Sequence, residues 1–335
     1  MSTAVQYYAS TLAIYACIDV MACWGLNLQF GVAGIYSFGY IVFQAAGAYT
    51  AAVLTLGPDT GTLSFQTYIG GANLPFPLAV LAAALVGAGL AAIVGAVTFR
   101  RLRSDYQAMV MLTVALIATS VAATQTGLVN GEAGLSLVPQ PFASESTSPI
   151  SYQWFYLGMT AVATAVVFFV VHRIAGSPWG RSLRAMRDDE SVASALGKNV
   201  WALRMSVFAL GGAIAAVSGA MLVAFIGAWS PAGWAYGETF VLFTALVIGG
   251  VGSNFGAALG AMLVPLALVE GTRFLPEIGH IGLIDELQWI CIGLLLLIFL
   301  WFAPRGLFPE RSRRFIRIAS RTHWVRSHLP HSRQR

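Results

Sequence analysis

Apolar stretches long enough to cross a bilayer recur along almost the whole chain, which restricts it to folds that satisfy every backbone polar group without water. Hydrocarbon about 30 Å thick takes about 20 residues of α-helix. Such stretches fall near residues 8–30, 32–56, 77–99, 107–128, 153–172, 203–227, 237–250, 255–271 and 287–303. The stretches at 237–250 and 255–271 are short and parted by "GGVGSN", so they form either a bent or re-entrant pair or two crossings. The expected fold is an all-α polytopic membrane protein with about eight or nine transmembrane helices and broken or re-entrant Gly-rich segments. Composition agrees, since 57% of the 335 residues are hydrophobic, 10% are charged and the mean hydropathy is +0.73. Polar surface on that scale does not cover a soluble globule.

Charge is distributed very unevenly. No Lys or Arg occurs in the first 99 residues, whereas residues 304–335 hold nine Arg and one Glu. The net charge of +5 therefore belongs to a tail and gives no case for nucleic acid. The other basic clusters are Arg100, Arg101 and Arg103, and the stretch from Arg173 through Lys198 to Arg204. Short loops rich in Lys and Arg stay cytoplasmic, and the span parity puts all three clusters on one side, with the C-terminus. The stretch beginning at Gly57 and the loop from 129 to 152 carry no Lys or Arg and are expected outside. The domain plan is a transmembrane unit over 1–308, containing a cytoplasmic loop at 175–200, and a basic cytoplasmic tail over 309–335. The N-terminus lacks a basic leader and cleavage site, so it is expected to be a retained first helix whose side is open.

Helices in lipid associate by close approach at small residues. Spacing of four marks Ala83, Gly87, Ala91 and Gly95; Gly211, Ala215 and Gly219; and Gly252, Gly256 and Gly260 as packing seams. Two Gly-rich interruptions, Gly25–Gly39 and Gly249–Gly256, point to broken helices beside a solute path. Cys17, Cys23 and Cys291 are expected to be buried, inert thiols without metal-ligand spacing. The chain has no HExxH, no GxxxxGK[ST] and no serine-protease motif, so neither an enzyme nor a resident metal or cofactor is expected.

Outside the tail, charge is concentrated in "GRSLRAMRDDESVASALGKN", residues 180–199, with seven charged side chains. Ser177 and Pro178 read as the cap and first residue of a helix, with Leu183 and Met186 on an apolar edge and Arg181, Arg184 and Arg187 elsewhere. Asp188, Asp189 and Glu190 then open a second short helix, where the dipole stabilises carboxylates. Gly197 ends it. Its face of Val192, Ala193, Ala195 and Leu196 suits docking into a groove on another protein.

This loop resembles the cytoplasmic loop of permease subunits of branched-chain amino acid ABC importers. The pieces "GLNLQFGVAGIYSFGYIVFQAAGAYTAAVL", "RRLRSDYQAMVMLTVA", "NGEAGLSLVP", "VIGGVGSNFGAALGAML" and "FAPRGLF" agree in order, from about residue 12 to residue 308. The resemblance implies a coupling helix carrying Arg181, Arg184, Arg187, Asp188, Asp189, Glu190, Ala193 and Gly197 toward a separate ATPase. It further implies a homologous second permease, two ATPase subunits that bind ATP and Mg, an external substrate-binding protein, and the bacterial inner membrane. Three positions depart from the family: Tyr40 stands where His is frequent, Val241 where an acid is frequent, with Glu238 a turn earlier, and Asp19 where the family is usually apolar. Polar groups at membrane depth face a cavity or a partner helix, so Asp19, Asn27, Gln29, Tyr36, Tyr40, Gln44, Glu238 and Thr244 are candidate pathway residues. A stand-alone secondary transporter or channel for a small polar solute is the rival reading.

Overall fold

The computed structural model describes residues 3–58, 66–100, 104–143, 148–234, 236–265, 283–303 and 306–310. Twelve α-helices account for most of them: α1 (Thr3–Leu26), α2 (Ile41–Thr55), α3 (Phe76–Thr98), α4 (Ser104–Thr124), α5 (Thr126–Val129), α6 (Pro149–Gly176), α7 (Pro178–Asp188), α8 (Glu190–Ala195), α9 (Val200–Ile226), α10 (Tyr236–Gly249), α11 (Asn254–Val264) and α12 (Leu283–Phe302). Among the described residues, pairing between extended segments is confined to two isolated bridges, Tyr68 with Val129 and Leu135 with Trp229. The chain is an all-α membrane protein, with six described segments long and apolar enough to cross a bilayer and three shorter apolar helices, Ile41–Thr55, Asn254–Val264 and Leu287–Phe302. The basic tail from residue 311 onward lies outside the described residues.

α9 is the axis of the bundle, packed by α3 on one side and by α1 and α2 on another. α3 presents a strip in which every fourth residue is buried, Ala79, Ala83, Gly87, Ala91 and Gly95. A Cβ on Gly87 would run into Ala216 and the backbone of Gly212, so the two helices touch nearly backbone to backbone. The strip therefore meets Gly212 and Ala216, one residue on from the expected Gly211, Ala215 and Gly219 face. That second face packs elsewhere: Gly211 receives the side chain of Gln29, and Gly219 lies against the carbonyl oxygen of Gln44. α10 and α11 form a short antiparallel pair in which Gly256 meets Gly249 and Gly260 meets Ala245. Gly252 is not a helix residue; it occupies the turn between them at φ +82°, a conformation that suits glycine.

The expected interruption at Gly25–Gly39 is a real break. α1 runs on into a π-helical stretch, Asn27–Val32, and the backbone is irregular from there to Tyr40. Burial inside protein is what lets such backbone exist at membrane depth, and Asn27, Leu28, Gln29, Gly31 and Val32 are all buried. α1 and α6 run side by side in the same direction, since Ser10 bonds Gln153 and Thr164 bonds the carbonyl of Cys17. The start of α1 thus lies at the end of the bundle opposite α7. Of the three cysteines only Cys23 is fully buried; Cys17 is half-buried, and Cys291 is exposed on α12 because its helix face has no described neighbour to cover it.

Candidate functional site

The charged end of the bundle is built from α7, α8 and the segment after α12. Ser177 caps α7 by accepting from Gly180 N at 3.2 Å, and Gly180 has no side chain because a Cβ would strike the carbonyls of Ile174 and Ala175. Leu183 and Met186 are buried and pin α7 to the bundle. Asp189 caps α8, accepting from Ser191 N at 2.8 Å, Val192 N at 3.1 Å and the Ser191 hydroxyl at 2.7 Å. That hydroxyl, with the backbone amides, holds the Asp189 carboxyl below its usual value. At the other end Gly197, at φ +77°, donates to Ser194 O while Lys198 donates to Ala193 O, a pattern that stops the helix sharply.

The arginines do not all point outward. Arg181 is exposed, but Arg184 Nε donates to Glu310 Oε1 at 2.5 Å and Arg187 Nη2 donates to Glu310 Oε2 at 3.1 Å. Arg184 also donates to Ala175 O at 2.9 Å, and Arg187 donates to the carbonyl of Gly31 at the π-helical end of α1. Glu310 is carried there by backbone bonds from Leu307 N to Ile248 O at 2.8 Å and from Phe308 N to Gly249 O at 3.0 Å. One carboxylate therefore joins α7 to the α10–α11 turn. Glu190 pairs with Arg204 of α9 at 2.6 Å, and Asp188 stays exposed. Ala193 is 2% exposed and packs inward, which leaves Val192 at 53%, Leu196 at 74% and the exposed Ala195 as the outward apolar face of α8. The expected docking face is thus smaller than the spacing implied, because α8 turns one of its small residues onto the bundle.

At the opposite end a cavity of about 560 Å³ opens among α1, α2, α9, α10 and two loops. Three of the expected pathway residues line it: Asp19, Gln44 and Glu238. Trp229, Ser136 and Ser230 complete its polar wall, supplied by loops that are tied together by reciprocal 2.8 Å backbone bonds between Leu135 and Trp229. Gln66 secures Ser136 from outside, accepting from its N at 2.9 Å and donating to its O at 3.1 Å.

The other candidates lie elsewhere and have structural partners. Asn27 accepts from Gly252 N at 2.9 Å and donates to Asn254 Oδ1 at 3.1 Å. Gln29 donates to Phe208 O at 2.9 Å, Tyr40 to Ala22 O at 2.9 Å, and Thr244 to Phe240 O at 2.7 Å. All four side chains are fully buried. Tyr36 is 40% exposed within an aromatic group, its ring 5.2 Å from Phe30. Asp19 and Asn27, eight residues apart on one continuous helical run, do not share the cavity. Sequence reading missed Glu310, Gly31 and the loop residues Ser136, Trp229 and Ser230. Only Glu310 carried a signal, as the single acid among nine arginines in 304–335.

The chain is 28% identical over 319 residues to the high-affinity branched-chain amino acid transport system permease protein LivM of Salmonella typhimurium, covering 89% of this chain and 69% of that one. It is 26% identical over 314 residues to the probable branched-chain amino acid transport permease protein LivM of Methanocaldococcus jannaschii, covering 85% and 89%. To the permease protein LivH of Escherichia coli it is 26% identical over 277 residues, covering 75% and 80%. No solved structure matches it significantly. Residues 8–300 match the family described as branched-chain amino acid transport system / permease component, and the chain belongs to that family.

Proposed function

We propose that the chain is the transmembrane subunit of an ATP-driven importer for branched-chain or related small amino acids, working beside a homologous second permease. Two separate ATPases supply hydrolysis, and an external binding protein delivers solute at the cavity end. The observation that carries this reading is α8, a capped and sharply terminated helix that leaves Val192 and Leu196 uncovered beside a charge-clamped α7. Exposed apolar side chains on a short rigid helix fit a groove on a partner protein. The basic clusters support a cytoplasmic position for that end and for the C-terminus, and the reading puts the chain in a bacterial inner membrane. Six long and three short apolar segments support eight or nine crossings, with the α10–α11 pair deciding between the two counts.

Purification from native membrane tests the assembly: two ATPases and a second permease are expected to accompany the chain. In the reconstituted complex Leu196→Glu should abolish solute-stimulated ATP hydrolysis while the chain still inserts and folds. Uptake by the purified chain alone, driven by an ion gradient, would replace the importer reading with that of a secondary transporter.

A further inference from the structure

From the cavity we infer a recognition site for a protonated amine, in which Asp19 and Glu238 hold the ammonium group of a solute of zero or positive net charge. Among the described residues that line the cavity both charged groups are acidic, with no Lys, Arg or His. They arrive from separate helices, Asp19 from the middle of α1 and Glu238 from the first turn of α10. A cleft lined by charge of one sign inside low-dielectric walls concentrates counter-ions and repels ions of its own sign. Gln44, Ser136 and Ser230 add neutral hydrogen-bonding groups, and Ile41, Leu222 and Val241 add an aliphatic wall. That lining accommodates an ammonium-bearing solute with an apolar or amide remainder and rejects a dicarboxylate. The site is a built one, because the loops that supply Ser136 and Ser230 are cross-bonded through Leu135 and Trp229.

For its amino-acid part the inference rests on the transport reading above, so the test separates the two. In a chain whose own cysteines are replaced by alanine, Ser230→Cys places a thiol on the cavity wall. A trimethylammonium methanethiosulfonate reagent and the sulfonate reagent of similar size should modify it with a rate ratio at least about tenfold above the ratio the same two reagents show toward a free small thiol. Adding Asp19→Asn and Glu238→Gln together should bring the ratio close to the free-thiol value. A ratio near the free-thiol value in the parent, or an excess that survives both neutral substitutions, overturns the assignment. The measurement needs neither ATPase nor uptake, so failure of ATP-driven transport would sink the importer reading and leave this result standing. In the complete complex 3-methylbutylamine should compete with leucine uptake and 4-methylpentanoate should not. Equal competition by the acid also overturns the proposal.

Discussion

Arg187 and Glu310, 123 residues apart in the chain, meet at 3.1 Å and are together the point where α7, the end of α1 and the α10–α11 turn converge. Both side chains are only partly exposed, at 28% and 24%. The pair therefore escapes the full screening of a surface ion pair and avoids the full desolvation of a buried one. Glu310→Gln should lower stability in detergent by about 1–2 kcal/mol. A double-mutant cycle with Arg187→Met, followed by thermal unfolding, should show non-additivity of about 1 kcal/mol; strict additivity would mean that the contact contributes nothing.

Asn27 fastens the π-helical end of α1 to the α10–α11 turn. Asn27→Leu keeps the branched shape but leaves the Gly252 N–H without its acceptor in a buried site. A loss of about 1–3 kcal/mol is expected in thermal unfolding. The preference among competing solutes should not change, since Asn27 lies outside the cavity.

Small residues at helix contacts differ sharply in what they tolerate. Gly219→Val would push a side chain into the Gln44 backbone and should cost about 1–3 kcal/mol or prevent assembly of the bundle. Gly89→Ala, two residues beyond Gly87 on α3, meets nothing within 4 Å and should stay within about 0.5 kcal/mol of the parent. Expression level and melting temperature in one detergent distinguish the two.

Asp189 sets the acid limit of the α8 cap. Its carboxyl is held below the usual value in the folded chain, so its contribution is complete above the unfolded value of about 3.9 and fades as pH falls through the lower folded value. Amide exchange at Ser191 and Val192 should therefore show constant protection across neutral pH and a loss only below about pH 4. Protection that already declines near pH 6 would point to a different titrating group.

How much of this was legible depended on whether a feature is local. The α3 strip at Ala83, Gly87, Ala91 and Gly95 was readable because four-residue spacing places small residues on one side of a helix. Its partner face was not, because α9 carries small residues at both 211/215/219 and 212/216 and spacing alone does not choose between them. The cap at Ser177 and the stop at Gly197 are encoded within four residues and were found, while Asp189 was placed only among three acids at the start of α8, not as its cap. Arg184 and Arg187 were placed off the apolar edge without a partner, since Glu310 lies 126 and 123 residues away. Asp19, Gln44 and Glu238 were named singly on the cost of polar groups in lipid, but their shared cavity arises only when α10 closes against α1 and α2.

The π-helical extension of α1 gives that helix two attachments of opposite kind. Twelve residues separate Asp19 in the cavity wall from Gly31, whose carbonyl receives Arg187, a run of about 18 Å at helical rise. A hydrogen-bonded helix resists compression along its axis, so α1 joins the cavity wall to the charged cap with no intervening loop. If a partner docks on α8 as proposed, a displacement of α7 should reach Asp19 along that helix.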